Sequence, residues 1–296
     1  MSVPAAYFGV ILIWSTTPLA IQWSAQGAGF GFAVFARMAI GFAVCLALLV
    51  ATRTALPWHP AARRLYAISG VSLCVSMLLT YWGALHIPSG LISVIFGLSP
   101  LVTGVFAVLW LSERALTPQR VAGLAIALAG LWLIFGQPWP GDGQATLGTA
   151  AVVGGMVVQA LGLVWIKRLN VRISSLAITA GSLGVALPGF ALAWVFAESA
   201  QWPADLDFRA GASIVYLGVL GSVVGFTLYY YVIKHLDAGR VALITLVTPV
   251  TALLLGQMLN AEFIPGRGWA GIALIGAGLV LYEWQALRQM RRGAIS

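Results

Sequence analysis

Apolar stretches of about 20 residues follow one another along this chain from end to end, interrupted only by short polar breaks. A helix needs about 20 apolar residues to cross a hydrocarbon core about 30 Å thick. In lipid, only helices and closed barrels give every backbone N–H and C=O a partner. Runs this long and this continuous suit helices. Approximate spans fall at 5–23, 31–51, 66–86, 89–111, 120–136, 146–166, 174–196, 211–233, 240–259 and 268–287. The shortest junction is Ile87-Pro88, between spans three and four. A proline there disfavours a continuous helix and predicts a tight turn. The expected fold class is all-α and integral to a membrane, with ten transmembrane helices.

Composition agrees. Of 296 residues, 60% are hydrophobic and 8% are charged, where a soluble domain carries about 25% charged residues. Too few polar groups exist to cover a water-facing surface. The net charge of +8 does not indicate nucleic acid, because the basic residues stand singly or in pairs at the ends of apolar runs, as membrane-flanking charges do. Cys45 and Cys74 fall inside spans, with no CxxC pair, and read as small buried hydrophobes. Residues 1–5 hold no Lys or Arg, so the first run is expected to be an uncleaved helix and not a signal peptide.

Charge bias sets the expected orientation. One set of loops, with the C-terminal tail, holds Arg53, Arg63, Arg64, Arg114, Arg120, Lys167, Arg168, Arg172, Lys234, Arg240, Arg288, Arg291 and Arg292. The opposite set holds only Arg209 and Arg267 beside Asp142, Glu198, Asp205 and Asp207. The positive-inside rule then predicts two cytoplasmic termini in a bacterial inner membrane, which an even number of spans also requires.

The chain repeats itself. A shift of 149 residues brings Tyr81 onto Tyr230, His86 onto His235, Gly90 onto Gly239, Pro100 onto Pro249 and Glu113 onto Glu262. After a slip of one residue, Gly123 falls on Gly271 and Gly130 on Gly278. The predicted halves are 1–140 and 141–296. Five spans is an odd number, so the second half enters the membrane with opposite polarity. Such inverted repeats recur in secondary transporters, whose substrate sites lie at the repeat interface near the midplane.

The motifs carry a resemblance. Span one reads Ile13-Trp14-Ser15-Thr16-Thr17-Pro18, and span two carries Arg37 in Phe35-Ala36-Arg37-Met38-Ala39. Ser99-Pro100-Leu101 is followed by Leu111-Ser112-Glu113-Arg114, Pro118 and Gly123. The second half repeats this with Thr248-Pro249-Val250, Glu262 and Gly271. Nearly the whole chain resembles the drug/metabolite transporter superfamily, EamA type, and within it is most similar to the aromatic amino acid exporters. That resemblance implies a ten-helix fold, a central cavity and export of small metabolites. It departs at Asn260-Ala261-Glu262, which matches less well than the segment around Glu113.

Several residues are candidates for the transport path. Pro100 and Pro249 lie mid-span at equivalent places, as hinges or as plain kinks. A helix proline frees the carbonyl four residues earlier, here on Phe96 and Thr245. Ser89, Ser93, Phe96, Pro100 and Thr103 share one helical face, and Ser69, Ser72, Ser76 and Thr80 follow the same rhythm. Hydroxyl stripes of this kind line cavities or serve interhelical hydrogen bonds. Trp14, Thr17 and Pro18 cluster in span one, and Ser99 adjoins Pro100. Gln159 stands alone in span six and needs a hydrogen-bond partner, either solute or helix. Tyr81, Trp165 and Tyr230 are candidate pocket aromatics, while Trp139, Trp202 and Trp284 fit an interfacial belt. Arg37 is the only formal charge well inside a span, where an unpaired Arg costs about 2.5–3.5 kcal/mol. It either snorkels outward, neutralises a solute carboxylate or anchors a gate, and Glu113 joins it as a gate candidate.

No catalytic residues, cofactor or metal are expected. There is no Walker-type loop, GxSxG or HExxH, and no Asp or Glu lies deep in a span, where proton-coupled carriers commonly use one. The expected function is a secondary transporter exporting small metabolites, amino acids and aromatic ones first, by alternating access with facilitated diffusion or exchange. The alternatives are a multidrug or nucleotide-sugar type carrier, and a membrane enzyme acting on lipid head groups. Expected partners are a small-molecule substrate and the bilayer, with no nucleic acid. A monomer is expected, and pairing of two copies stays open because Gly218, Gly221 and Gly225 suit packing within or between chains.

Overall fold

A computed structural model of the protein describes residues 2–111, 117–135, 143–203, 205–236, 238–264, 266–282 and 284. Among these residues there is no β-strand. The helices are α1 (Val3–Ala28), α2 (Phe30–Ala51), α3 (Pro60–Gly83), α4 (Ser89–Gly97), α5 (Ser99–Leu111), α6 (Pro118–Phe135) and α7 (Gly143–Leu169). They continue with α8 (Ser175–Glu198), α9 (Phe208–Tyr216), a π-helical segment (Leu217–Val224), α10 (Gly225–His235), α11 (Ala238–Asn260) and α12 (Gly266–Tyr282).

Seven runs are long and apolar enough to cross a membrane: Val3–Ala28, Phe30–Ala51, Pro60–Gly83, Ser89–Leu111, Gly143–Leu169, Ser175–Glu198 and Phe208–Tyr229. Where the fifth, ninth and tenth spans were expected stand shorter apolar stretches, Pro118–Leu133, Leu246–Asn260 and Gly266–Tyr282. The protein is therefore a multi-pass, helical membrane protein.

Local chemistry sets the helix ends. His59 Nδ1 accepts from Ala62 N at 3.3 Å and Pro60 opens α3. Ser174 and Asp207 cap α8 and α9 through Ala177 N (3.2 Å) and Ala210 N (2.7 Å). Each satisfies one of the orphan N–H groups of a first turn. Helices α2 and α4 have no side-chain cap of their own because Gly and Pro, which carry no side-chain acceptor, stand at their N-cap positions. Gly29 alone joins α1 to α2, and Pro88 precedes α4. Carboxylates from elsewhere fill both gaps. Glu198, last in α8, accepts from Gly31 N (2.9 Å) and Phe32 N (3.1 Å). Glu262 accepts from Gly90 N (3.4 Å) and from Asn260 Nδ2 (3.1 Å). Both place negative charge at the positive end of a helix dipole. Gly29 has φ +80, and a Cβ there would meet Glu198 Oε1 at 2.5 Å, so glycine is required on both counts.

The two prolines expected to act alike behave differently. Pro249 lies inside the continuous helix α11. Around Pro100 the span is not kinked but broken: a turn at Leu98 separates α4 from α5, and Pro100 stands second in α5. Leu101 N and Val102 N both turn back to Leu98 O, at 3.0 and 3.2 Å. In a first turn a missing N–H costs no helical bond, so starting a new helix relieves the clash a mid-helix proline would cause.

The chain divides into two compact units, and each draws on both sequence halves. One comprises Met1–Leu19, His86–Thr149 and Gly225–Ser296. Within it α6 packs on α12 and α4 on α11. Lipid offers no hydrophobic drive for helices to associate, so close approach through small residues must supply the attraction. Gly123 faces Gly278, and a Cβ on Gly130 would stand 2.6 Å from the Gly271 carbonyl oxygen. The other unit comprises Ala20–Leu85 and Ala150–Val224. Here α8 packs on α2 and α3, and the π-helical segment packs on α2. Gly70 lies against Ser182 O, Gly181 against the Tyr66 ring, and Gly218 against Ile40.

Candidate functional site

In the second of these units Arg37 is only 6% exposed, so it does not snorkel. Its Nε donates to Ser222 Oγ at 3.4 Å and its Nη1 to the Tyr81 hydroxyl at 3.3 Å. The guanidinium carbon also lies 5.9 Å from the Tyr81 ring centroid, within cation–π range. Two residues expected in different roles, a gate and a pocket aromatic, thus form one cluster. Tyr81 is fully buried. Ser222 in turn donates to Leu217 O at 2.9 Å, five residues back, the spacing of the π-helical turn that carries it. Short π segments concentrate at functional sites. The close approach of α2 needs Gly218, whose Cβ would stand 3.1 Å from Arg37 O.

A second polar contact links α3 and α7. Ser76 Oγ, fully buried, donates to Gln159 Oε1 at 3.2 Å, while the rest of Gln159 is exposed. Two further α3 hydroxyls serve the helix: Ser72 bonds Ile68 O and Ser69 O, and Thr80 bonds Ser76 O. Glycines of α7 seat against this stripe, with a Cβ on Gly155 meeting Ser76 O at 2.8 Å. Trp165 lies apart at the end of α7, 37% exposed, with the Arg168 guanidinium 5.5 Å from its ring.

The other unit holds the remaining candidates. Trp14 packs on Tyr229, ring centroids 4.6 Å apart. Thr17 spends its hydroxyl on Ile13 O (2.7 Å), and Pro18 is buried within α1. Ser93 is buried, while Phe96, Ser99 and Pro100 are half-buried about the break at Leu98. The Tyr282 hydroxyl donates to Pro100 O at 3.3 Å. Tyr230 and Thr245 belong to α10 and α11, but their side chains lie outside the described residues, as do Glu113, Trp139 and Asp142. A groove of about 590 Å³ opens between α1 and α11, lined by Phe8, Leu12, Leu254 and Leu255. Its hydroxyls, Ser15 and Thr251, bond each other. The rest of its lining is apolar.

Sequence reasoning missed Ser222, Glu198 and Tyr282 as partners. Ser222 had a signal, standing among Gly218, Gly221 and Gly225. Tyr282 and Glu198 had none, since their acceptor and donors are backbone atoms of distant helices. Among the described residues no group of three or more His, Cys, Asp or Glu could hold a metal ion.

The EamA-like transporter family matches this chain twice, at residues 3–136 and 146–284. The chain belongs to that family. This EamA-like transporter is 28% identical over 299 residues to a probable terminal-alkyne amino-acid exporter of Streptantibioticus cattleyicolor, covering 96% of this chain and 94% of the relative. It is 24% identical over 292 residues to the uncharacterized inner membrane transporter YedA of Escherichia coli K12, covering 93% and 89%. Over 213 residues it is 27% identical to the uncharacterized transporter YvbV of Bacillus subtilis, covering 70% and 67%. A protein known from its crystal structure shares the fold at TM-score 0.64 and 23% identity, over 97% of this chain and 99% of that one. The family and these relatives are transporters, which removes the reading of an enzyme acting on lipid head groups.

Proposed function

We propose that this EamA-like transporter exports an amino-acid-class metabolite across the bacterial inner membrane by alternating access. It would do so through two inverted five-helix repeats, residues 1–140 and 141–296, with both termini cytoplasmic. The carrying observation is the reciprocity between α6 and α12. The repeat makes Gly123 equivalent to Gly271 and Gly130 equivalent to Gly278; the contacts run Gly123 to Gly278 and Gly130 to Gly271. A two-fold axis relating the halves requires that crossing pattern, as in any isologous contact. Two equivalent halves supply two equivalent gates, one for each side of the membrane. The amino-acid class draws support from the exporter of Streptantibioticus cattleyicolor and from a buried, cationic Arg37. Proline-bearing spans on both sides, with Pro18, Pro100 and Pro249, would flex as the pocket changes sides, and Glu113 would belong to the gate. The solute's own gradient would drive flux, because no Asp or Glu lies deep in a span.

Proteoliposomes of the purified protein, loaded with each of the common amino acids in turn, test this reading. Efflux of at least one, surviving collapse of the proton gradient with membrane potential held, is expected. Efflux of none removes the amino-acid class, and efflux that stops with the proton gradient removes facilitated diffusion.

A further inference from the structure

We infer that Arg37 is the anion-recognition point of this transporter and takes the single carboxylate of its solute, which deepens the amino-acid reading and rests on it. A guanidinium has five N–H donors. Two of Arg37's are engaged, both at long range and both with neutral hydroxyls. Among the described residues no carboxylate pairs with it, and no further acceptor serves the other three donors. Buried charges are normally paired, and an intramembrane cation without a counter-ion marks a solute path. Glu198 of the same unit does not supply the missing charge, because it is spent on Gly31 and Phe32.

The surroundings choose the kind of anion. Ser222 takes the Nε donor and Tyr81 one Nη1 donor, from two helices, which leaves one Nη1 and both Nη2 donors for a carboxylate, the group Arg favours in bidentate geometry. One cation suits one negative charge. A dianionic phosphate would call for a second Lys or Arg, and the unit's other Lys and Arg residues stand near helix ends or in the connections: Arg53, Arg63, Arg64, Lys167, Arg168, Arg172 and Arg209. Ser222 sits in the π-helical segment between α9 and α10, so Arg37 links a bound solute to the irregular part of that span.

The test measures thermal unfolding of the detergent-purified full chain at constant ionic strength. The probes are sodium benzoate, its neutral isostere benzamide, and sodium phosphate. Benzoate is expected to raise the unfolding midpoint of the natural protein while benzamide and phosphate do not. Arg37→Gln should weaken benzoate binding by about 10- to 100-fold, and Arg37→Lys, which keeps charge without the fork, by an intermediate factor. A natural protein indifferent to benzoate overturns the inference, as does a phosphate response exceeding benzoate's or an Arg37→Lys chain that binds benzoate unchanged. Should Arg37→Gln not fold, the isostere pair and Arg37→Lys still decide. A benzoate response without amino-acid efflux keeps the carboxylate site and removes the proposed substrate. Efflux without a benzoate response does the reverse.

Discussion

Gly123 and Gly278 occupy each other's missing side chains: a Cβ on Gly123 would stand 2.6 Å from the Gly278 carbonyl oxygen, and one on Gly278 would stand 2.5 Å from that of Gly123. Both walls are backbone, so neither can swing aside. Gly123→Ala or Gly278→Ala is expected to destabilise the protein by about 1–3 kcal/mol through overpacking. Gly276, on the same helix, has nothing within 4 Å of its would-be Cβ, so Gly276→Ala is the control and should be neutral or slightly stabilising. Melting curves of the three variants in one detergent check this. Equal melting of all three would mean that the α6–α12 contact is looser than described.

Glu198 holds the first turn of α2 without belonging to it. Glu198→Ala leaves Gly31 N and Phe32 N without their acceptors, at about 1–3 kcal/mol for a buried unsatisfied donor. Amide hydrogen exchange at residues 31 and 32 should accelerate, while exchange at the first turn of α8, capped by Ser174, stays unchanged. Uniform acceleration across both helices would instead point to general loss of stability.

Tyr282 pins the break between α4 and α5 through the Pro100 carbonyl. Its ring also lies under the Arg120 guanidinium, 5.2 Å from centroid to carbon. Tyr282→Phe keeps the ring and removes the hydroxyl, so it is expected to cost about 0.5–1.5 kcal/mol, read by thermal unfolding. Faster hydrogen exchange should be confined to residues near Leu101 and Val102. No change there would show that the hydrogen bond is dispensable.

Charge bias makes a topological prediction. Alkaline phosphatase fused after Trp202 should be active, and fused after Arg172 inactive, because the enzyme matures only outside the cytoplasm. Green fluorescent protein at the C-terminus should be fluorescent. An active phosphatase after Arg172 would reverse the orientation drawn from the basic loops.

What the residues alone determined was the class of the fold, multi-pass and helical in a membrane. Long apolar runs with sparse charge dictate membrane helices whatever they pack against, and Ile13-Trp14-Ser15 through Glu262 carried the family. Hydropathy is a sum over a local window, so it can be read without knowing any neighbour. Pairings between distant residues are not local, and those only the tertiary structure decided. Arg37 was legible as a charge inside a span, yet its burial and its contacts with Tyr81 and Ser222, 44 and 185 residues away, were not. Pro100 and Pro249 look alike in sequence, but one begins a new helix and the other stays within one. A proline removes the same N–H in both places; whether the helix continues or breaks depends on the partners the surroundings offer the backbone, and about Pro100 the N–H groups of Leu101 and Val102 turn back to Leu98 O while the Tyr282 phenol takes the Pro100 carbonyl.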